Sequence, residues 1–470
     1  MNEARLTIWG EDACRRVHEA TLEVLAETGV DVRYAPAVEV FGRAGAQVDG
    51  TRVRIPAHLV EAAIKSAPRG WLLKPRGGDT APLVLDAQHS YCGTGSDILY
   101  ICDPDTRERR RVRKADVEGQ AALCEKLPNI DFVMSMGLPE DVPQAIDDLA
   151  QVDAMLRGTR KPLLVAPRDG HILERMKEMC AAAGEPDSFG IYAMPVPPLM
   201  MDEDGASKVI ACAELGIPLI WAPAPNAGTT APASIASVIV VANAETLAGL
   251  VLSQAVRAGA PFVWGVGVGA MNMRTMNEVY ASAGPIQGYQ AQADLARWYG
   301  LPSFGYAAHS DSKTLDGQWA AEAAITAVTG LLSRATLLHD VGYLEAGLQS
   351  SYESIVFGDE LIGYAKAFMG ELNVDDEALA LDEIKAVGPG GSHLARPYTR
   401  KHYRQIWQSD LFDTSRHAHW VEEGSPTLLD RLMARVAELC GEPRSFELGA
   451  AAEAELDRIL AEVETDRPAD

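Results

Sequence analysis

Apolar residues recur at helical spacing from Glu11 to Thr28, at Ala13, Val17, Ala20, Leu22, Val24 and Leu25, and Gly29 follows where a helix ends. A second periodic run, APAVEVFGRAGA, leads into a short β-rich stretch, TRVRIP. A third helical run, AHLVEAAIKSAP, is stopped by Pro68. The opening of the chain, residues 1–90, therefore predicts a helical layer. Next, YCGTGSDILYICDPDTRERRRVRKADV places two β-rich runs around a polar turn and predicts a hairpin entering a helix near Asp116.

From Asp131 one pattern repeats: a short apolar run, a loop of Pro, Gly and polar residues, then an Ala-rich helix. The runs are FVMSMGLPED, PLLVAPRD, FGIYAMPVPP, IPLIWAPAPNAG, PFVWGVGVGAMN, SFGYAAHSDSK and LLHDVGYLEAG, with an eighth strand expected in EIKAVGPGGSH or in the earlier hairpin. Strands without polar alternation, separated by helices, predict an α/β fold of the (β/α)8 TIM-barrel type, spanning residues 91–395. After Gly388 the chain turns rich in His, Arg, Tyr and Trp and closes on an acidic helix. Residues 396–470 are expected to form a C-terminal helical arm that packs on a neighbouring subunit, giving a homo-oligomer.

Charge and composition narrow the function classes. A formal net charge of −24 argues against a nucleic-acid partner, because phosphate is repelled over most of such a surface. The apolar run SIASVIVVANAETLAGLVL is interrupted by Asn243 and Glu245, so no membrane span and no membrane partner is expected. The N-terminus lacks the basic start and apolar core of a secretory signal, and a cytoplasmic location is the expectation. Seven cysteines, at 14, 92, 102, 124, 180, 212 and 440, show no ligand spacing, and His393, His402, His417 and His419 lack the HxxxH pattern; no metal is expected. GVGVGAMN has neither the spacing nor the companion acid of a dinucleotide loop, and close backbone packing accounts for its glycines. The basic run from Arg107 to Lys114 suits a solvated edge strand or, alternatively, a dock for an acidic partner.

In barrels of this kind reactive groups sit at the carboxyl ends of the strands. That rule selects Glu140, Asp141, Arg168, Asp169, Asn226, Asn272, His309, Asp311, Lys313, His339, Asp340, Tyr343 and Glu345, and brings Trp221, Trp264 and Tyr306 near the same end. No GxSxG, HExxH or Cys/His nucleophile signature is present. A site poor in nucleophiles and rich in rings, amides and carboxyls suits a small cation whose electrophilic carbon is attacked from outside the chain.

The segments RVHEATLEVLAETGVDV, FGRAGAQVDGTRVRIPAHLVEAAIKSAP, PEDVPQAIDDL, ANAETLAGLVLSQ, SDSKTLDGQWAAEAA, HDVGYLEAG and HLARPYTRKHYRQIWQSDLFD together resemble the trimethylamine methyltransferase family over nearly the whole chain. The resemblance implies a (β/α)8 barrel that moves a methyl group from a methylated amine to the Co(I) corrinoid of a separate small protein. The chain itself would bind no cofactor tightly, the corrinoid riding on its partner. Archaeal members that use trimethylamine carry pyrrolysine in a loop placed here around Asp311 to Asp316, where this sequence reads SDSKTLD, all standard residues. The chain thus resembles the branch without pyrrolysine, whose members demethylate quaternary amines such as glycine betaine, proline betaine or carnitine.

On that reading Trp221, Trp264, Tyr306 and Tyr343 are the candidate aromatic cage, each also an ordinary core residue type. A substrate carboxylate would be met first by His339, with His309 or Asn226 second, while Asp340 and Glu345 orient the imidazole or form a structural pair. Two alternatives differ in class. One is a barrel without turnover that serves as a binding or regulatory module for quaternary amines or corrinoid proteins; the other is a hydrolase or lyase, which would need a water-activating metal or base.

Overall fold

Strands that are apolar on both faces must be covered on both. The computed structural model describes residues 4–77 and 80–466. Among the described residues, seven strands form one parallel sheet in the order Tyr91–Cys92, Leu337–His339, Ser303–Tyr306, Phe262–Gly265, Leu219–Trp221, Phe189–Ala193, Leu163–Val165. Aligned partners include Tyr306 with His339, Trp264 with Trp221, and Leu338 with Cys92. Single parallel bridges join Gly93 to Phe132 and Val133 to Leu163, so the segment after Asp131 stands between the two edge strands and the sheet curls. The backbone follows suit: Asp131 N donates to Cys92 O at 2.6 Å and Val133 N to Pro162 O at 2.9 Å.

Inside the curl lie Phe132, Met134, Leu164, Ile220, Val263, Phe304 and Leu337. Their strand neighbours Leu163, Leu219, Trp221, Phe262, Trp264 and Leu338 belong instead to the larger core beneath the helices. An antiparallel hairpin, Gly70–Leu73 with Leu83–Asp86, adds Leu73, Leu83 and Leu85 to the inner core. Its flanks bond to Asp187, Arg160 and Thr336, residues that just precede strands, so the hairpin covers the amino end of the curl. The carboxyl end is left for chemistry.

Helices follow the strands in turn, from Lys114–Glu125 to Tyr352–Phe368. The 22-residue helix Ile235–Val256 has the length and apolarity to cross a membrane, yet 72% of its most apolar window is buried in the fold. Asn243 on this helix donates to Thr21 Oγ1 at 3.0 Å and Tyr299 OH at 2.8 Å and accepts from Trp264 Nε1 at 3.1 Å. The polar interruptions seen in the sequence are thus internal fastenings of a core helix.

The N-terminal region carries helices Glu11–Glu23, Ala35–Ala44 and Ala57–Ser66 around a small sheet that includes Val30–Val32, Arg52–Arg54 and Gln47–Asp49. Gly29 is required there: its φ is +71°, and a Cβ would overlap the carbonyl of Val53. Two expectations change in detail. The stretch from Tyr91 is not one hairpin, because Tyr91–Cys92 joins the parallel sheet and the hairpin proper is Tyr100–Cys102 with Arg109–Arg111. EIKAVGPGGSH holds no strand; Leu381–Val387 is a helix, consistent with Leu381 and Ile384 spaced three apart. The glycines of GVGVGAMN are packing residues, since a Cβ on Gly265 would overlap Ala222 and one on Gly269 would overlap Asn226.

The basic run is neutralised locally. Arg107 pairs with Glu353, Arg110 bridges Asp103 and Asp116, and Arg109 and Arg111 flank the ring of Tyr100 at 3.4 and 4.6 Å. In the arm, helix Leu428–Gly441 packs on Tyr352–Phe368 and helix Ala450–Asp466 on Leu173–Ala182, whereas Leu372 and Leu394, in the segment before the arm, are each 86% exposed.

Candidate active site

The strand Ser303–Tyr306 sends Phe304 and Tyr306 inward, and Leu337–His339 sends His339 inward beside them. The His339 ring stacks on Phe304 at 3.9 Å between centroids and lies 4.6 Å from Tyr306 and 5.9 Å from Tyr192. Tyr289, from helix Ala283–Tyr299, stacks on Tyr306 at 4.3 Å, and Tyr280 approaches it at 6.5 Å. His309 sits edge-on to Tyr280, Tyr289 and Tyr306 at 6.1–6.2 Å. Rings from several strands, a helix and a loop thereby converge at the carboxyl end of the sheet.

His339 Nδ1 lies 2.7 Å from the carbonyl oxygen of Gly305. A carbonyl can only accept, so Nδ1 carries the proton and Nε2 is left as an acceptor. Asp340 Oδ1 stands 3.2 Å from that Nε2. The contact is not an ion pair: burial pushes the imidazole down to about 3 and pushes the Asp340 carboxyl well up, with Asp97 adding to the latter. The imidazole is neutral near pH 7, and burial disfavours the charged form of the carboxyl. The proton of His339 is committed to Gly305, so this side chain does not offer the substrate the donor expected of it.

His309 is 1% exposed, and its ring nitrogens make no well-formed hydrogen bond, the backbone of Tyr280 and Ala307 being what they face. Burial lowers its pKa to about 4 despite the nearby backbone of Tyr280 and Ala307, and the ring is neutral. Burial also raises the carboxyls of Asp97, Glu278 and Asp311 and the phenols of Tyr192, Tyr280, Tyr289, Tyr306 and Tyr343.

A small sheet, Asn226–Ala227, Gly269–Asn272 and Asn277–Val279, rises from the same end. Asn226 hydrogen-bonds Glu278 above Gly269, where any side chain would collide with both. The carboxylate of Asp311 accepts from Tyr280 N at 3.0 Å and Ala281 N at 3.2 Å, which ties this sheet to the loop SDSKTLD. That loop is itself held by Glu322, which accepts from Ser310 Oγ and Asp311 N. Lys313 donates to the carbonyl of Asp311 at 2.8 Å. An opening of about 320 Å³ reaches the ring cluster at Tyr192 and Asp97, with Met194, Arg168 and Lys208 on its walls. A larger cleft of about 580 Å³, between Lys126–Asn129 and helix Leu428–Gly441, touches none of these rings.

The expected site residues divide accordingly. Tyr306, Tyr343, His309, His339 and Asp340 come together, with Tyr343 OH donating to Ser96 O and its ring pressed on Gly95. Asn226 lies on the adjoining small sheet. Trp221 and Trp264 face the other way: Trp221 Nε1 donates to Glu245 O at 3.1 Å and its ring abuts Gly249, while Trp264 bonds Asn243. They sit between strand and helix because Ile220 and Val263 occupy the inward positions. Glu345 accepts from Arg109 at 2.6 Å, away from the imidazoles. The sequence reading did not select Tyr192, Tyr280, Tyr289, Asp97 or Glu278. Only Tyr192 carries a local signal, lying two residues beyond Gly190 on a strand of known period. Among the described residues no group of three or more His, Cys, Asp or Glu could hold a metal ion.

Residues 1–467 match the family described as trimethylamine methyltransferase (MTTB). Two relatives come from strains of Desulfitobacterium hafniense. A trimethylamine methyltransferase MttB is 30% identical over 424 residues, covering 88% of this chain and 85% of the relative. A glycine betaine methyltransferase is 31% identical over 435 residues, 89% of each chain. The crystal structure of the Methanosarcina barkeri monomethylamine methyltransferase MtmB superposes with a TM-score of 0.55 at 12% identity, covering 99% of this chain and 89% of that one, a likeness of fold alone. A match over so nearly the whole length settles descent: the chain belongs to the trimethylamine methyltransferase (MTTB) family.

Proposed function

We propose that this chain transfers a methyl group from a quaternary or tertiary methylated amine, of the class that includes glycine betaine, to the Co(I) corrinoid of a separate corrinoid protein. On this reading the curled sheet acts as an eight-stranded (β/α)8 barrel, the bridged segment at Phe132 and Val133 being its eighth strand. The observation that carries the proposal is the convergence of Tyr192, Tyr280, Tyr289, Tyr306 and Tyr343 around Asp340 at the strands' carboxyl end. Ring faces attract a cation by about 0.5–2 kcal/mol each without neutralising it.

A quaternary nitrogen has no lone pair and needs no covalent activation. When its methyl carbon is attacked in line, the C–N bonding pair stays on nitrogen, which leaves as a neutral tertiary amine. Positive charge at nitrogen therefore falls as the reaction proceeds. A fully ionised, solvated carboxylate in contact would favour the charged ground state, whereas tyrosine rings, and a buried Asp340 whose charged form burial disfavours, hold the cation more weakly and keep it poorly hydrated. The corrinoid, as second substrate, supplies the nucleophile and takes the methyl carbon; the chain's residues bind, orient and exclude water.

The test is to mix the protein with a corrinoid protein reduced to Co(I) and a panel of methylated amines. Conversion of the cobalt spectrum to the methylated form is expected with at least one amine. Tight binding with no methyl loss across the panel, against a corrinoid protein shown to be competent, would replace the reading with a non-catalytic one.

A further inference from the structure

Residues 370–410 form an excursion whose two ends are fastened to one helix, Tyr352–Phe368. Met369 is buried directly after that helix, Trp407 sets its ring against Tyr364 at 5.3 Å, and Asp410 N donates to Glu360 Oε1 at 3.2 Å. Among the described residues none between Met369 and Leu411 is buried, although the stretch holds the helices Asp376–Leu379, Leu381–Val387 and Pro397–His402. Phe368, Leu372, Val374, Leu381, Leu394 and Ile406 are each more than half exposed. A segment without a core has little to offset the conformational entropy of ordering it. Large apolar side chains left open in this number mark a surface that another molecule covers.

Charge and position say which molecule. Residues 371–384 carry six acidic side chains and no basic one, whereas residues 388–406 carry Arg396, Arg400, Lys401 and Arg404 and no acidic one. Arg396 bonds Glu383 and Lys401 bonds Glu377 within the chain. Among the described residues Arg400 and Arg404 on the basic half, and Glu371 and Asp376 on the acidic half, take part in no ion pair. The two halves are thus complementary to each other, while a chain of net charge −24 repels its copies over most of its surface. The supporting helix begins at the carboxyl end of the sheet, where Ser354 Oγ donates to Gly342 O at 2.7 Å, and runs away from it. Near its far end Lys366 donates to Asn129 Oδ1 at 3.2 Å, just before the chain enters the sheet at Asp131. The excursion therefore leaves from the amino end, opposite the ring cluster that a corrinoid protein has to reach.

We infer that residues 371–406 are the interface with a second copy of this chain, paired about a two-fold axis so that the acidic half of each copy faces the basic half of the other. In such a pairing every contact is made twice, which suits a surface that carries both signs apart. A stable interface takes about 20–30 residues from each side, and this stretch supplies that many. The terminal helices are not the interface, because they pack within their own chain. The pairing leaves the carboxyl end of both sheets open.

The experiment follows the full chain by sedimentation velocity over a range of concentrations, with no other protein present. A dimer, or an even-numbered assembly of dimers, is expected. Leu394→Asp combined with Ile406→Asp should weaken the pairing at least about a hundredfold while the thermal midpoint of the dissociated chain stays in place. Two charge variants make an independent test that does not rely on apolar residues. Arg400→Glu with Arg404→Glu makes both halves acidic, and Glu371→Lys with Asp376→Lys makes the acidic half far less so; each variant alone should pair at least about tenfold more weakly than the wild type, and an equal mixture of the two should recover the affinity. A wild-type monomer at every concentration overturns the inference, as does an odd-numbered assembly or one whose size the Leu394 and Ile406 substitutions leave unchanged. Protection of Leu381–Val387 amides from hydrogen exchange by a corrinoid protein, without self-association, also overturns it and assigns the surface to that partner. Charge variants that pair no better mixed than alone overturn the two-fold, half-against-half arrangement.

Discussion

At the residue scale, neighbours on one strand have opposite fates. Trp264 sits at the carboxyl end of a strand, as a cage residue should, yet its indole bonds Asn243 beneath the helices while Val263 fills the interior. Trp264→Phe is therefore expected to cost about 1–3 kcal/mol of stability through the orphaned Asn243 acceptor, with KM for the amine unchanged; urea denaturation and steady-state kinetics check the two halves. The tendency of tryptophan to serve cations was legible in the sequence, but its facing was not, because a strand buried on both sides carries no alternation to read. Glu245 makes a second case. One carboxyl oxygen accepts from Leu199 N at 2.6 Å, the other has no partner, and burial raises its pKa from 4.5 to about 8. A raised carboxyl holds its proton longer in the folded state, so its contribution is complete below the unfolded value and is lost as pH rises through about 8. Glu245→Gln should accordingly gain on the wild type by more than about 1 kcal/mol between pH 5 and pH 9, read from urea midpoints at each pH.

At the scale of elements, the small sheet at the carboxyl end of the curled sheet is positioned through one side chain. Asp311 accepts the backbone N–H groups of Tyr280 and Ala281, and so fixes the strand Asn277–Val279 with Glu278 and the tyrosine that follows it. Asp311→Ala removes those acceptors and is expected to raise KM for the amine about tenfold with a smaller change in kcat, while Asp311→Asn, which keeps one acceptor oxygen, falls between; initial-rate kinetics on the three proteins decide it. SDSKTLD was legible as a loop beside the site, and Asp311 as a polar residue within it. Its partner was not, since thirty-one residues separate Asp311 from Tyr280 and no periodicity links them.

For the whole molecule, burial is uneven. The curled sheet is apolar on both sides, whereas between residues 371 and 406 Leu372, Val374, Leu381, Ile384, Leu394 and Ile406 are all more than half exposed. Segments with little buried surface open at low free energy. Hydrogen exchange should find the amides of Leu381–Val387 and Pro397–His402 exchanging well ahead of those in Ser303–Tyr306 and Leu337–His339; equal protection in the free monomer would contradict this. The repeating order of apolar run, loop and helix already dictated a parallel α/β sheet with its loops at one end, because helix and strand periods are properties of local sequence. Tertiary structure alone decided which way each ring faced, that Tyr91–Cys92 and not a later segment flanks Leu337–His339, and that Tyr280 and Tyr289 join Tyr306. Those outcomes depend on contacts between residues far apart in the chain, and such contacts leave no mark on the spacing of residues along it.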